Sequence, residues 1–486
     1  MPMFKILPIL ILPIFLTACA DDAPEPATPG GGVATADVED KAPFKRPPHV
    51  VFFLIDTLRA DRLSSYGYDR PVSPVVDAVA KEGARFANAT AQSSWTMPST
   101  ASLFLGRHLR GEIAGVPKES PSIPREFKRG GYVTAGFVVN PLISNPENGF
   151  GTWFDSYLAE GNVGQIASWI NDHKDQETFT YIHWVDPHAP YAPNKVWHNY
   201  VGTEPNIPAS EREYYKQVRL EAGLEIDEQV IKKFERDWNG YDDDVASFDR
   251  RFSSLIRALR QMEILEDTLI VITADHGEAL WDHKEFIVRE GMDQPKTVSD
   301  VLMVGHGNQL YQELVHTPII FYGPGVPSGV VIDGPVQNID VFPTLLELCD
   351  LALPEGLTGR SLVPQMIDPN SVTDGFGFSV TRFVSSLQTA DGFKLIVPTP
   401  AGEEIGLETE LYDLKTDPVE RNNIAKNHPE IVAASLAKIT ELLETGLESD
   451  WKKFDNSEAN QAAMEALGYL EGSEAVPLGV EAEENQ

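Results

Sequence analysis

Cysteine is almost missing from this 486-residue chain, which holds only Cys19 and Cys349. With Cys19 consumed in anchoring, as argued below, an intramolecular disulfide is excluded and the mature domain must stand on its apolar core. Cys349, at the end of the apolar run Phe342–Leu348, reads as a buried, unreactive thiol. Positive charge is also scarce. Lys and Arg total 39 against 73 Asp and Glu, a formal net charge of −34, which argues against nucleic acid or an anionic membrane surface as a partner. No later run is long and apolar enough to cross a bilayer, and the run near the start, Ile6–Phe15, is too short. Apolar residues are plentiful, 42% of the chain, enough for a large core. The length exceeds one ordinary domain, so a large α/β domain with a smaller appendage is expected.

Lys5, the apolar run and then Leu16-Thr17-Ala18-Cys19 read as a signal peptide over residues 1–18 that ends in a lipobox, the lipidation signal of bacterial lipoproteins. Cys19 is then the lipidated first residue. The expected location is the bacterial cell envelope, facing the periplasm or exterior, with acyl chains holding the protein to a membrane at about 0.8 kcal/mol per buried methylene. Residues 19–48, rich in Pro, Ala, Gly, Asp and Glu around Gly30-Gly31-Gly32, read as a flexible linker. Over 49–368, apolar runs of strand length alternate with helical patterns. That alternation predicts a large mixed, mostly parallel sheet flanked by helices, its clearest buried strands at 50–55, 132–139, 179–185, 268–273 and 317–322. Residues 369–472 read as a small α+β subdomain, with strands at 377–384, 392–397 and 410–414 and an amphipathic helix at 429–443. Residues 473–486 form an acidic tail without aromatics. The charged, helix-like segment 194–238 reads as a cover over the pocket.

Polar residues gather where the expected strands stop: Asp56 after the first, Asn140 after the second, Asp186 and His188 after the third, Asp275 and His276 after the fourth. Open α/β sheets bind ligands at the carboxyl ends of their strands. A single Asp or Asn there is an ordinary turn former, but turn chemistry does not explain four strand ends bearing metal-type ligands.

Five segments, Val50–Arg62, Ser94–Arg107, Trp184–Tyr191, Ile272–Glu278 and Leu357–Leu362, resemble in sequence and order the blocks of the sulfatase family, a branch of the alkaline phosphatase superfamily. The resemblance implies an alkaline phosphatase-like fold and metal-dependent ester hydrolysis. At the family's nucleophile position sulfatases carry Cys or Ser followed by x-Pro-x-Arg, which is oxidised to formylglycine. This chain has Thr96, with Thr100 in place of the Arg. A threonine cannot yield the aldehyde hydrate, whereas a metal-held hydroxyl suits phosphoryl transfer through a covalent phosphothreonine.

By the same resemblance Asp56, Thr96, Asp275 and His276 hold one divalent ion, Zn, Mn, Mg or Ca. Thr57 stands where the two-aspartate pattern has a second carboxylate, and the smaller, imidazole-containing set favours zinc or manganese over calcium. His188 and His306 take catalytic positions, and Asn140, Arg107 and His283 take substrate-binding ones, with His283 a rival general acid. Asp186, His188 and His306 are an alternative second metal site. Arg59, Arg62 and Arg107 are candidates to make the site locally positive, and His183, inside an apolar strand, reads as a satisfied core residue. The expected substrate is an anionic small-molecule, glycan or lipid ester, with phosphate or phosphonate favoured. The alternatives are a sulfuric ester hydrolase, a phosphoethanolamine or phosphoglycerol transferase, and a non-catalytic glycan-binding protein.

Overall fold

Short apolar runs bounded by polar turns become strands almost wherever they occur. The computed structural model describes residues 46–110, 115–191, 203, 207–221, 228–284, 302–371, 374–446, 460 and 462. The expected signal peptide, Cys19, most of the linker and the acidic tail lie outside the described residues. Among the described residues the strands are, in chain order, β1 (His49–Ile55), β2 (Ala84–Thr90), β3 (Val133–Val138), β4 (Ser156–Leu158), β5 (Thr178–Trp184), β6 (Thr268–Ala274), β7 (Ala279–Lys284), β8 (Leu302–Gly305), β9 (His316–Tyr322), β10 (Val330–Gln337), β11 (Gly377–Val380), β12 (Val384–Gln388), β13 (Phe393–Pro398) and β14 (Glu410–Asp413).

Eight of them form one sheet in the order β10-β2-β9-β6-β1-β5-β3-β4, in which β9 alone runs against its neighbours. β1, β5 and β6 at its centre are buried along their whole length, which is why their sequences are unbroken apolar runs rather than alternations. Successive side chains of β1 leave on opposite faces. Phe52 packs on Tyr181 and Phe104, beneath the helices Thr96–Leu105, Ile123–Arg129 and Val341–Leu348. Phe53 meets Phe252 edge to face at 5.1 Å, beneath Pro74–Glu82, Val163–His173 and the 34-residue helix Glu228–Gln261. None of the described helices is long and apolar enough to cross a membrane.

Three strands of the main sheet escape the sequence pattern, the shortest being the three-residue β4. β2 is small and polar, Ala-Arg-Phe-Ala-Asn-Ala-Thr. β10 contains Gly334-Pro335, which read as loop; its ladder with β2 slips between Ile332 and Pro335, so the proline is accommodated at an irregularity. The expected strand 377–384 is two strands, because Thr381 donates its backbone N–H to the Val384 carbonyl at 2.8 Å and turns the chain from β11 into β12. β11 to β14 form an antiparallel sheet, and Ile439 and Leu442 of the helix Pro429–Thr445 pack with Phe378, Leu387, Leu395 and Leu411 of that sheet.

The register of the central strands places the site. Ile55 is level with Trp184 on β5 and with Ala274 on β6. The next residues, Asp56 and Asp275, therefore leave adjacent parallel strands side by side, about one strand spacing of 4.8 Å apart. Thr96, the first residue of its helix, comes to the same edge. That helix is buried at every position, and its end is fixed by Gly106 at φ 61. A side chain at Gly106 would strike Phe342 and Leu357 at under 3 Å.

Candidate active site

Asp56, Thr96, Asp275 and His276 converge in the interior, each fully buried. The Thr96 Oγ1 lies 3.2 Å from His276 Nε2. That nitrogen is 3.5 Å from Asp275 Oδ2 and 3.8 Å from Asp56 Oδ1. Such separations are those of neighbouring ligand atoms around an ion with bonds of about 2.1 Å. Asp56 Oδ1 and Asp275 Oδ2 are both buried without a hydrogen-bond partner, although buried polar atoms are nearly always satisfied. Two unsatisfied carboxylate oxygens and a hydroxyl gathered around one imidazole nitrogen are a donor set that suits a divalent cation.

The other atoms of these residues are held in place. Asp275 Oδ1 accepts the backbone N–H groups of Thr57 at 3.2 Å and His276 at 2.9 Å. His276 Nδ1 lies 2.9 Å from the Gly277 carbonyl, which leaves Nε2 toward the cluster. Ser99 donates its hydroxyl to the Asp275 carbonyl, tying the Thr96 helix to β6. Gly277 packs so closely on Glu313 that a β-carbon would lie 2.0 Å from its carbonyl oxygen, so this loop requires glycine. Thr57 adopts φ 59, a strained conformation for a β-branched residue. Tyr241 clamps it from the long helix, donating its hydroxyl to the Thr57 carbonyl at 2.7 Å and accepting the Arg59 N–H at 2.9 Å.

Electrostatics separate the two aspartates. Burial opposes ionisation of Asp56, but His188, His183 and His276 outweigh it and hold its pKa below the ordinary carboxylate value. Burial, and then the charge on Asp56, push Asp275 well above that value. Burial and the neighbouring His306 push His276 well down, so its imidazole is neutral. Two facing carboxylates that resist joint ionisation and a neutral imidazole form a donor set that a divalent ion satisfies.

Sequence reasoning missed three contributors. His183 is not a satisfied core residue: its Nε2 is buried without a hydrogen-bond partner and lies 3.6 Å from Asp56 Oδ2. Ligand atoms of Asp56, His183 and Asp275 all fall within 4.8 Å of one another. Its apolar strand hid it, and the only signal was that β5 ends beside β1. Tyr241 lies far along the chain in an amphipathic helix, with no local mark. Glu278 follows the Asp275-His276-Gly277 turn, and its Oε1 lies 2.9 Å from His306 Nδ1.

Other expected residues fall in varied places. The rings of His188 and His306 meet at 4.9 Å, and His306 lies 4.3 Å from His276, so both stand beside the cluster. Asn140 reaches it as a support. Its Oδ1 caps the helix Pro141–Ser144 through the N–H groups of Leu142 and Ile143, and its amide donates to Asp56 Oδ2 at 2.6 Å. Arg107 lies past the far end of the ten-residue helix that Thr96 begins, about 15 Å along its axis, so the structure does not bring it to Thr96. His283 has both ring nitrogens engaged, Nδ1 with Glu313 at 2.6 Å and Nε2 with the Glu420 carbonyl at 3.1 Å, and stacks on Tyr311. Burial disfavours its charge, yet Glu313 outweighs burial and raises its pKa. Asp186 pairs with Arg251 rather than with His188 or His306, which removes the carboxylate from the alternative second metal site. Arg59 is committed to Asp61 and Asp282, and Arg62 to Asp242 and the Trp238 ring.

The Sulfatase family model matches residues 48–351. The chain belongs to the sulfatase family. The model for the C-terminal part of N-sulphoglucosamine sulphohydrolase matches residues 307–445. Among curated relatives, arylsulfatase K of Bos taurus is 25% identical over 41% of this chain and 35% of its own length, so the chain spans about a third of that relative. The uncharacterized sulfatase YidJ of Escherichia coli is 25% identical over 78% of this chain and 83% of that protein. Among solved structures, one in complex with its substrate D-glucosamine-2-N,6-O-disulfate superposes at a TM-score of 0.63, with 19% identity over 82% of this chain and 98% of that one. The phosphonate monoester hydrolase of Agrobacterium radiobacter also superposes at 0.63, with 19% identity over 82% and 95%. This sulfatase-family chain therefore has the fold of both sulfate-ester and phosphonate-ester enzymes, a mostly parallel sheet with a small antiparallel C-terminal sheet.

Proposed function

We propose that this sulfatase-family hydrolase cleaves phosphate or phosphonate esters by way of a covalent phospho-Thr96. The observation that carries the proposal is the hydroxyl of Thr96, buried at the first position of a helix and 3.2 Å from His276 within the aspartate cluster. Asp56, Asp275, His276 and Thr96 would hold one divalent ion, with His183 a further donor. When bound, the ion lowers the pKa of the hydroxyl and neutralises charge on the non-bridging oxygens. The positive end of the Thr96 helix favours the anionic ester at the same point.

Thr96 loses its hydroxyl proton to solvent as Oγ forms a bond to phosphorus and the bond to the leaving oxygen breaks; that oxygen takes a proton from His306 or His188, which is reprotonated from solvent. Water next attacks phosphorus, the bond to Thr96 breaks and the hydroxyl is restored. The second reading, sulfuric ester hydrolysis, is favoured by the names of the curated relatives. Against it, Thr96 cannot supply the aldehyde hydrate that expels sulfate, and Thr100 stands where the maturation motif has its arginine.

Purified protein is expected to turn over an aryl phosphodiester or phosphonate monoester at least about tenfold faster, as kcat/KM, than the aryl sulfate with the same leaving group. A sulfate rate equal to or above the phosphoester rate overturns the assignment of ester class. The lipobox reading of Cys19 completes the proposal, placing the enzyme on a membrane of the cell envelope with an anionic glycan, lipid or small-molecule ester as substrate. Wild-type protein is expected to sediment with membranes and Cys19→Ala to lose acylation; an intact mass without acyl groups on the wild type contradicts it.

A further inference from the structure

The nucleophile and the aspartate cluster do not explain Glu278. It is fully buried, and burying a carboxylate is costly unless its oxygens are used. Both are. Oε1 lies 2.9 Å from His306 Nδ1, and Oε2 accepts the backbone N–H of Ala189 at 3.2 Å. These contacts reach the two segments that carry the histidines beside Thr96: His306 itself, and the turn in which Ala189 follows His188. The rings of that pair meet edge to face at 4.9 Å.

The anchor is rigid. The Glu278 carbonyl accepts Arg59 Nη1 at 3.0 Å, and the Arg59 guanidinium is fixed by Asp61 and Asp282. One residue earlier, Gly277 donates its N–H to the Leu314 carbonyl at 2.8 Å. An imidazole whose Nδ1–H is given to a fixed carboxylate has its ring plane set and its Nε2 turned away from that carboxylate.

We propose that Glu278 is a positioning residue that sets the orientation of His306 and its distance from His188, so that His306 Nε2 meets the oxygen leaving with the alcohol. The proposal rests on the reading of His306 as proton donor. It adds the group that makes that donor effective, and it is independent of whether the ester is a phosphate or a sulfate. Protonation matters most when the leaving alcohol is a poor leaving group, so loss of the carboxylate has a signature in leaving-group dependence that a general loss of packing lacks.

The test uses the full chain with its metal content measured, and two aryl esters of whichever class the wild type hydrolyses, one of nitrophenol and one of unsubstituted phenol. Glu278→Ala is expected to lower kcat about a hundredfold for the phenyl ester and less than about tenfold for the nitrophenyl ester, with KM and metal content unchanged. Glu278→Gln keeps an oxygen for the His306 N–H and is expected to recover about tenfold of the phenyl-ester rate. Should Glu278→Ala fail to fold, a loss in Glu278→Gln confined to the phenyl ester still supports the proposal. Equal losses on both esters, or a loss that follows metal content, overturn it. Failure of the underlying reading is distinct, because it shows in His306→Ala as losses that are equal on the two esters, whatever Glu278→Ala does.

Discussion

Thr96→Ala is expected to abolish ester turnover, lowering kcat by at least about 10,000-fold, the scale on which removal of a nucleophile acts, while the protein folds and keeps its metal. The hydroxyl stands 3.2 Å from His276 Nε2, and its removal leaves that nitrogen, Asp56 Oδ1 and Asp275 Oδ2 in place. The helix it begins is anchored independently, by Ser99 on the Asp275 carbonyl and by the buried side chains along its length. Loss of turnover without loss of fold or ion is therefore the signature of a nucleophile. Thr96→Ser, which keeps the hydroxyl, is expected to retain measurable turnover. Steady-state kinetics beside elemental analysis and melting curves on the same samples check this, and Thr96→Ala activity within about tenfold of wild type contradicts the role.

Asp275→Asn is expected to empty the metal site. The amide keeps an oxygen that can accept the Thr57 and His276 N–H groups, so the local backbone is preserved. What it loses is the charge on the oxygen that faces the cluster unsatisfied. A divalent ion bound in the wild type would relieve the conflict between Asp56 and Asp275, so chelation is expected to lower the melting temperature. At free ion a thousandfold above Kd the stabilisation is about 4 kcal/mol. Asp275→Asn has no such conflict and no such ion, so its melting temperature is expected to be insensitive to chelator, its metal content near zero and its turnover lost. Full metal stoichiometry in this variant contradicts the assignment of Asp275 as a ligand.

Much of this was readable before any coordinates, and the exceptions have physical causes. β1, β3, β5, β6 and β9 announce themselves because burial on both faces demands apolar residues, and Asp56 and Asp275 stand out because a carboxylate directly after such a strand must face something polar. β2 and β10 are hidden by small polar residues and by Gly334-Pro335 at a ladder irregularity. His183 is hidden for the opposite reason: its strand neighbours are apolar, and only the pairing of β5 with β1 shows that its ring edge reaches Asp56. Arg107 and His283 show the converse error. Each is near a site motif in sequence, but one lies at the wrong end of a helix and the other has spent both ring nitrogens on Glu313 and Glu420. Asn140 was rightly placed at a strand end, yet its amide serves Asp56.

The central claim, that Thr96 carries the covalent intermediate, is tested most directly by acid-quenching the enzyme during turnover of an aryl phosphodiester or phosphonate ester and mapping the adduct by peptide mass spectrometry. The account predicts a phosphoryl or phosphonyl group on the Thr96 hydroxyl, absent without substrate and absent in Thr96→Ala. An adduct on Ser99 or Thr100 instead, or no adduct on enzyme that was turning over at the full rate when quenched, contradicts it.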